Sequence, residues 1–291
     1  MKLFIFGLGF SSQTFVQDFG ARFTGVTGTV RSDEKAARLR AQGRVTPLIF
    51  SDERRDAALA QALSEADVML VSTPPDEQGD PVLRAFAREI ETAPRLKRIV
   101  YLSTVGVYGD HQGAWIDEDT APRPVAGRSN ARLAAEDEWR ALAARSGVAL
   151  DILRLSGIYG PGRNPLAALK AGTARRIVKP GQIFNRIHVT DIARAIMACI
   201  DGGKPGATYN VTDDEPAPPQ DVVAFAAELL GVPAPPEQDF STAEMTPMAR
   251  SFYGESKRVS NARIKRELGF AFSLPTYREG LQSLLAQGEG K

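Results

Sequence analysis

The sequence predicts an α/β protein, a doubly wound parallel sheet with helices on both faces that is followed by a smaller C-terminal lobe. Short apolar runs alternate with longer helix-like segments through the first half of the chain, which is typical of βαβ units. A glycine-rich turn follows the first apolar run, and after Gly157 the alternation ends in a stretch rich in Gly, Pro and basic residues. The 291 residues, of which 43% are hydrophobic, can bury one large core or a core plus a second lobe.

The apolar runs of the first half define the predicted strands, at residues 3–6, 22–27, 45–50, 68–72, 98–103 and 150–155. Helical segments lie between them, with one helix beginning near Gln13 and the clearest others at residues 33–41, 54–63, 80–92 and 128–146. Later in the chain the pattern predicts a strand at residues 207–211 and helices at 191–200, 219–230 and 260–268, the last as the final helix. We therefore expect a domain of residues 1–156 and a lobe of residues 157–291, with segments of about 187–211 returning to the main domain.

Charge and cysteine content exclude several classes of function. The 36 Lys and Arg residues balance 35 Asp and Glu, so no net field draws the chain to nucleic acid or to an anionic membrane, and we expect neither as a partner. Cys199 is the single cysteine, which excludes an intramolecular disulfide and a Cys-rich metal cluster, and no metal site is expected. No signal-peptide pattern and no apolar run of bilayer length is present, so we expect a cytoplasmic protein.

The first predicted strand is followed by the loop Gly7-Leu8-Gly9-Phe10-Ser11-Ser12, which opens a helix. Strand, turn and helix are the context in which a G-x-G-x-x-G motif binds a dinucleotide. Gly7 permits the tight turn, Gly9 lets the backbone approach the pyrophosphate, and the helix N-terminus offers unpaired N–H groups to the anion. Ser12 stands where a third glycine is usual, a small departure. We expect a Rossmann-type domain in which Gly7, Gly9, Phe10, Ser11 and Ser12 hold the pyrophosphate; the alternative is a tight turn without a ligand.

The end of the second strand selects the cofactor, because an acidic residue there binds the free 2′-hydroxyl and a basic one favours the 2′-phosphate. Arg31 therefore predicts NADP, while Asp33 keeps NAD as the alternative, and Arg31 is also consistent with a solvated surface arginine. The fourth strand ends in Ser72-Thr73-Pro74, where a Rossmann sheet presents its carboxyl edge to the ribose. We expect Thr73 to contact the cofactor there.

With these landmarks placed, the chain resembles the extended short-chain dehydrogenase/reductase family, which includes sugar-nucleotide epimerases and dehydratases. The resemblance runs nearly end to end, and it is carried by the glycine loop and by the segments at residues 101–109, 117–118, 154–163, 187–193, 209–211 and 257–263. It implies an NAD(P)-binding fold, a second lobe that selects a small-molecule substrate, and cofactor contacts from Ser103 and Gly157.

The family's reaction centre combines a Ser or Thr with a Tyr four residues before a Lys. Thr104 matches the first position, where it would meet the substrate oxygen. Aligning Leu133-Ala134-Ala135-Glu136 with the family's helix puts Arg128 at the Tyr and Arg132 at the Lys. An arginine stays protonated and cannot shuttle a proton. The resemblance is therefore to atypical members without the Tyr-Lys pair, in which Arg132 still binds the cofactor.

Three outcomes stay open for the chemistry. Tyr108, Tyr159 or His188 acts as acid or base, although each also fits a packing or structural role. Alternatively the cofactor delivers hydride while water supplies the proton. Finally, the protein binds NADP without catalysis, as a sensor or scaffold.

The first part of the second lobe is basic, and its cations are Arg163, Lys170, Arg175, Arg176, Lys179 and Arg186. Such a stretch suits a phosphorylated or nucleotide-linked substrate, and it fits a solvated basic face equally well. We expect Arg128, Tyr159, Arg163 and Arg186 to contact that substrate. By the resemblance a homodimer forms through the helices at 80–92 and 128–146, whose apolar residues Val82, Leu83, Phe86 and Ile90 alternatively face the sheet.

Overall fold

The computed structural model describes residues 1–51, 53–125 and 127–290, and it divides the chain into two compact units. The first unit consists of Met1–Thr104, Gly127–Arg154 and Ile192–Tyr209; the second consists of Val105–Ala126, Leu155–Asp191 and Asn210–Lys291. The chain thus passes between the units several times. None of the helices in the described residues is long and apolar enough to cross a membrane.

The strands are β1 (Lys2–Phe6), β2 (Gly25–Val30), β3 (Thr46–Ile49), β4 (Val68–Val71), β5 (Arg98–Thr104), β6 (Trp115–Ile116), β7 (Ala149–Leu155), β8 (Gly157–Tyr159), β9 (Arg176–Val178), β10 (Arg186–His188), β11 (Thr208–Val211), β12 (Glu237–Asp239) and β13 (Arg258–Val259). Seven of them form a parallel central sheet in the order β11-β7-β5-β4-β1-β2-β3. The predicted α/β fold with a doubly wound parallel sheet is confirmed. Strand order reverses between β1 and β4, which pair directly, and such a switch point opens a crevice at the carboxyl ends of the strands.

The helices are α1 (Phe10–Phe19), α2 (Asp33–Gln42), α3 (Ala58–Ser64), α4 (Pro81–Glu91), α5 (Gly127–Ser146), α6 (Pro165–Lys170), α7 (Val189–Gly202), α8 (Pro219–Leu230), α9 (Pro247–Phe252), α10 (Ala262–Leu268) and α11 (Tyr277–Ala286). The helix predicted at 54–63 begins only at Ala58. Asp56 explains the difference, because its carboxylate accepts the Ile49 N–H at 2.7 Å and its own N–H donates to the Ile49 carbonyl, which ties Asp56 to the end of β3 just before the helix.

Two further elements differ from the prediction. The second strand begins at Gly25 rather than at residue 22, because Gly20–Arg22 form a 3₁₀ turn and Gly25 is the residue that pairs with Lys2. The helix at 260–268 is not the final one, since α11 follows it. A capping box formed by Thr276 and Glu279 starts α11, and that pair is a signal the sequence does carry.

The core of the first unit lies under α4 and α5. Val82, Phe86 and Ile90 of α4 are buried with Trp139 of α5 against strand residues such as Tyr101. The apolar face of α4 therefore packs on the core of its own unit. This is the second of the two roles expected for these residues, the first being a contact in a homodimer. The homodimer stays a prediction.

The second unit has its own core, built on α8 and α11. Tyr159 lies in this cluster with Leu166, Tyr277 and Leu281. Three short parallel strand pairs, β10 with β8, β12 with β9 and β13 with β6, join its segments.

Candidate functional site

The glycine loop forms a tight turn between β1 and α1. Gly7 has a φ of +87°, a conformation that favours glycine, and its N–H donates to the Thr29 hydroxyl at 2.8 Å. The Leu8 N–H donates to the Thr29 carbonyl at 2.9 Å. The end of β2 thus fixes the loop, and the carboxyl ends of β1 and β2 meet the start of α1.

The N-terminus of α1 has the properties of an anion site. Gly9 is the residue before the helix, no side chain caps it, and no acidic residue lies in the first turn. The first-turn N–H groups of Phe10, Ser11 and Ser12 therefore point out of the helix with its positive dipole end. A Cβ built on Gly9 meets no atom within 4 Å, so the space above this glycine is open. These features fit the pyrophosphate of a dinucleotide.

Ser12 is fully buried, and its hydroxyl has no hydrogen-bond partner among the described residues. It stands at the position where the third glycine of the motif packs helix against strand. Its small side chain therefore serves the packing of α1, whereas the backbone of the same turn is what the anion would meet.

A pocket of about 330 Å³ opens beside this turn. Its walls come from the carboxyl ends of β1 to β4, the edge at which an open parallel sheet binds its ligand. The lining includes the predicted cofactor residues Gly7, Gly9, Arg31 and Thr73, together with Leu8, Thr29, Val30, Lys35, Phe50, Ser51, Ser72, Pro74, Pro75, Asp76 and Pro81. A Cβ on Gly7 would lie 3.0 Å from the Thr73 hydroxyl, so the glycine loop and the end of β4 are in close contact.

Basic residues line one side of the pocket. Arg31 follows β2, and Lys35 lies in the first turn of α2, where its N–H donates to the Ser32 hydroxyl that caps the helix. Burial lowers the pKa of Lys35 below its usual value, and the charges of Arg38 and Arg31 lower it further. Three cations held together in this way favour an anionic ligand, because an anion removes their mutual repulsion. The sequence identified Arg31 but not Lys35, because the role of Lys35 depends on its burial in the pocket wall.

The predicted cofactor residue Arg132 lies on α5 and turns towards the core of the first unit. Its guanidinium donates to the Tyr101 hydroxyl at 3.0 Å and to the Leu102 carbonyl at 3.1 Å. It also lies over the Tyr101 ring, 5.6 Å from the centroid. Burial raises the pKa of Tyr101 above its usual value, so this phenol stays protonated. Arg132 therefore links α5 to the end of β5.

Ser103 belongs to a buried ion-pair network. Its hydroxyl donates to Glu136 at 2.5 Å, and Arg154 binds the same carboxylate through two bonds of 2.7 and 3.1 Å. Burial opposes ionisation of Glu136, but Arg154 and Ser103 outweigh it and hold the pKa of this carboxyl below its usual value. Thr104, the next residue, ends β5 with a half-buried side chain, and Arg128 is exposed in the first turn of α5.

The three acid-base candidates lie in the second unit and are buried. The Tyr108 hydroxyl donates to the Asn210 side chain at 2.8 Å. The Tyr159 hydroxyl packs on α11, where a Cβ on Gly280 would lie 1.9 Å from it, and burial raises the pKa of Tyr159. His188 is 3% exposed, its Nδ1 accepts from the Thr190 N–H, and burial lowers its pKa, so the imidazole is neutral. These contacts fit packing roles for Tyr108 and Tyr159; the catalytic assignments stay predictions.

Most basic side chains of the second unit bind its own chain. Arg186 donates to the Phe184 and Ala217 carbonyls, and Lys179 donates to the Tyr253 carbonyl. Arg175 and Arg176 bind the neighbouring β12 segment. Arg163 differs, because it is exposed and its guanidinium makes no hydrogen bond or ion pair with the described residues.

The predicted cofactor residue Gly157 starts β8 in the same unit. No group of three metal-ligating side chains is found in the described part of the chain.

Fold and pocket together define an NAD-binding α/β protein of the extended short-chain dehydrogenase/reductase type. Comparison with known proteins agrees, since residues 49–212 match the model of the NAD dependent epimerase/dehydratase family. The chain belongs to this family, and the resemblance inferred from the sequence is confirmed. The absence of the Tyr-Lys pair stays a prediction.

Among similar proteins, "Protein YeeZ" of Escherichia coli K12 is 29% identical over 283 residues, covering 94% of this chain and 96% of YeeZ. A solved structure described as a functionally unknown conserved protein from Silicibacter pomeroyi has a TM-score of 0.90 and 46% identity over 99% of both chains. DesIV, a dTDP-glucose 4,6-dehydratase from Streptomyces venezuelae solved with NAD and TYD, has a TM-score of 0.77 and 18% identity, covering 98% of this chain and 96% of that one. At that identity the likeness shows the fold alone.

Proposed function

We propose that this chain is an NADP-dependent oxidoreductase or epimerase/dehydratase-like enzyme that acts on a phosphorylated or nucleotide-linked small molecule in the cytoplasm. The pocket beside Gly7 and Gly9 holds the dinucleotide, with the pyrophosphate at the N-terminus of α1. One sequence relative supports the substrate class, because the dTDP-D-glucose 4,6-dehydratase of Homo sapiens, whose name gives a nucleotide-linked sugar as its substrate, is 28% identical to this chain over 197 residues.

The preference for NADP rests on one observation, the cation pair Arg31 and Lys35 in the wall of the glycine-loop pocket. A 2′-phosphate carries two negative charges where the ribose of NAD has a neutral hydroxyl. Arg31 supplies planar donors to that phosphate, and Lys35, whose pKa is lowered by burial and by the charges of Arg38 and Arg31, supplies a second positive charge in the pocket wall. The Ser32 hydroxyl lies between them at the start of α2.

Bound NADP would supply hydride transfer to or from the substrate carbon. The chain's part is to orient the reactants: Thr104 at the end of β5 meets the substrate oxygen, and the fixed β5 end, held by Arg132 through Leu102, sets the position of that hydroxyl. A buried phenol with a raised pKa is a poor base at neutral pH. We therefore propose that water supplies or accepts the proton that accompanies hydride transfer.

The test measures dissociation constants for NADPH and NADH by fluorescence titration in wild type, Arg31→Ala and Lys35→Ala. Each charge-assisted bond to the phosphate contributes about 1.5–3 kcal/mol, so each variant weakens NADPH binding by about 10- to 150-fold. NADH binding changes little. Lys97→Ala is the matched control. Lys97 is exposed and lies just before β5, at the amino ends of the parallel strands, whereas the pocket lies at their carboxyl ends. Equal losses for both cofactors would contradict the proposal.

A second candidate is a non-catalytic NADP-binding sensor or scaffold. It is favoured by the side chains around β5, since Arg132 and Ser103 are engaged in internal bonds. Incubating the protein with NADPH and a panel of sugar nucleotides and carbonyl compounds, and following absorbance at the reduced nicotinamide band, separates the two functions. Saturable NADPH binding without turnover supports the sensor; turnover that is lost in Thr104→Ala supports the enzyme.

A further inference from the structure

A short turn carries Arg163, the exposed arginine whose guanidinium makes no hydrogen bond or ion pair with the described residues. Gly160 and Arg163 exchange two backbone hydrogen bonds, each 3.0 Å long, with Pro161 and Gly162 at the centre. Gly162 has a φ of +69°, and Pro followed by a glycine of positive φ is the combination of a type II turn. In such a turn the central N–H makes no bond within the turn, so an acceptor outside it can fix the orientation of the central peptide.

That acceptor is Glu289, close to the C-terminal end of the described chain. One oxygen of the carboxylate accepts the Gly162 N–H at 2.9 Å, and the other accepts the Asn164 side-chain amide at 2.9 Å. The Asn164 amide also donates to the Gly160 carbonyl, and its oxygen caps α6 by accepting the Ala167 N–H. The carboxylate therefore binds both the centre of the turn and the residue that follows it.

The residues that follow α11, Gln287 to Gly290, place the Glu289 carboxylate beside the turn. After α11, Gly288 has a φ of +96°, its N–H donates to the Leu285 carbonyl, and the Glu289 N–H donates back to Leu284, which reverses the chain. Gly290 packs tightly beyond it, because a Cβ there would lie 2.8 Å from Leu230 and 3.3 Å from Leu166 of α6. The contact with the turn is thus supported by independent packing on the helix that follows the turn.

We infer that Glu289 is a positioning residue that fixes the Gly160–Asn164 turn and, through it, the place of Arg163 in substrate binding. The inference rests on the proposed function for its substrate, an anionic nucleotide-linked molecule. The Glu289 oxygens accept from neutral donors, the Gly162 N–H and the Asn164 amide, so this carboxylate is not paired with Arg163 and leaves the guanidinium available to an anionic ligand.

The first test measures amide hydrogen exchange of Gly162 by NMR in wild type, Glu289→Ala and the control Glu228→Ala, which removes an exposed carboxylate from α8. Loss of a charge-assisted bond speeds exchange of Gly162 by about 10-fold or more, and the control leaves it unchanged. Asn164→Asp places two carboxylates together and also speeds exchange, whereas Asn164→Asp with Glu289→Gln restores a donor between the two side chains and slows it again. Unchanged exchange in Glu289→Ala overturns the inference.

The second test measures UDP-glucuronic acid binding by calorimetry. Glu289→Ala weakens binding by about 10-fold, the value of one well-placed charged contact. In an Arg163→Met background Glu289→Ala has no further effect, which a general loss of structure would not produce. Equal losses in both backgrounds overturn the positioning role. If wild type does not bind the nucleotide sugar, the proposed substrate class and the role of Arg163 fail, and the exchange of Gly162 decides separately whether Glu289 holds the turn.

Discussion

Substituting the second glycine of the loop separates cofactor binding from folding. Gly9 has φ −83° and ψ −162°, an extended conformation that alanine adopts, and its Cβ would meet no protein atom within 4 Å. Gly9→Ala therefore leaves the fold intact, with a change in melting temperature of about 2 °C or less. The methyl group occupies the space that the pyrophosphate needs.

The expected loss of affinity follows from the contacts at stake. Displacing the pyrophosphate from the N-terminus of α1 removes one or two charge-assisted N–H bonds, each contributing about 1.5–3 kcal/mol. NADPH binding weakens by about 10-fold for one weak bond and by over 100-fold for two. Fluorescence titration of NADPH gives the dissociation constant, and differential scanning fluorimetry without ligand gives the melting temperature.

Two comparison variants complete this experiment. Gly7→Ala places a side chain at φ +87° and 3.0 Å from Thr73, so it lowers the melting temperature as well as the affinity. Gly25→Ala, whose Cβ also meets nothing and which lies at the amino end of β2, changes neither. If Gly9→Ala binds NADPH as tightly as wild type, the pyrophosphate does not lie at this turn and the assignment of the pocket is refuted.

Three further predictions concern stability. Glu136→Gln leaves Arg154 buried without its carboxylate and lowers the free energy of unfolding by about 3–5 kcal/mol in urea titration; a loss below 1 kcal/mol would show that this pair is dispensable. Gly280→Ala, a substitution that usually stabilises a helix, instead destabilises the protein because its Cβ would lie 1.9 Å from the Tyr159 hydroxyl, and Tyr159→Phe recovers part of the loss in thermal unfolding. Because the folded pKa of His188 is lowered, the unfolded chain binds the extra proton, so wild-type stability falls as pH drops below about 6.5 and His188→Gln shows a shallower fall between pH 7 and 5.

The sequence predicted the first unit well because its signals are local. Continuous apolar strands, the glycine loop and the basic residue after β2 each follow from neighbouring residues, and the structure gathers Gly7, Gly9, Arg31 and Thr73 around one pocket. Lys35 was missed although it follows Arg31 by only four residues. Its role depends on burial against the pocket wall, which a pattern of charges along the chain does not show.

The second unit was harder to predict because its contacts join distant segments. The basic stretch suggested an anion site, but Arg186 and Lys179 bind carbonyls far away in sequence, at Ala217 and Tyr253. Likewise, nothing near Arg163 in the sequence points to Glu289, which is more than a hundred residues later. Such pairings depend on tertiary packing rather than on local propensity.

Binding of NADPH and NADH to the wild-type protein, titrated side by side at one salt concentration, tests the central claim most directly. The geometry of the α1 N-terminus, with Arg31 and Lys35 beside it, predicts saturable binding of both nucleotides. NADPH binds at least about 10-fold more tightly, the contribution of a single charge-assisted contact to the 2′-phosphate. Tighter binding of NADH would contradict the assignment of Arg31 and Lys35, and binding of neither nucleotide would contradict the dinucleotide site itself.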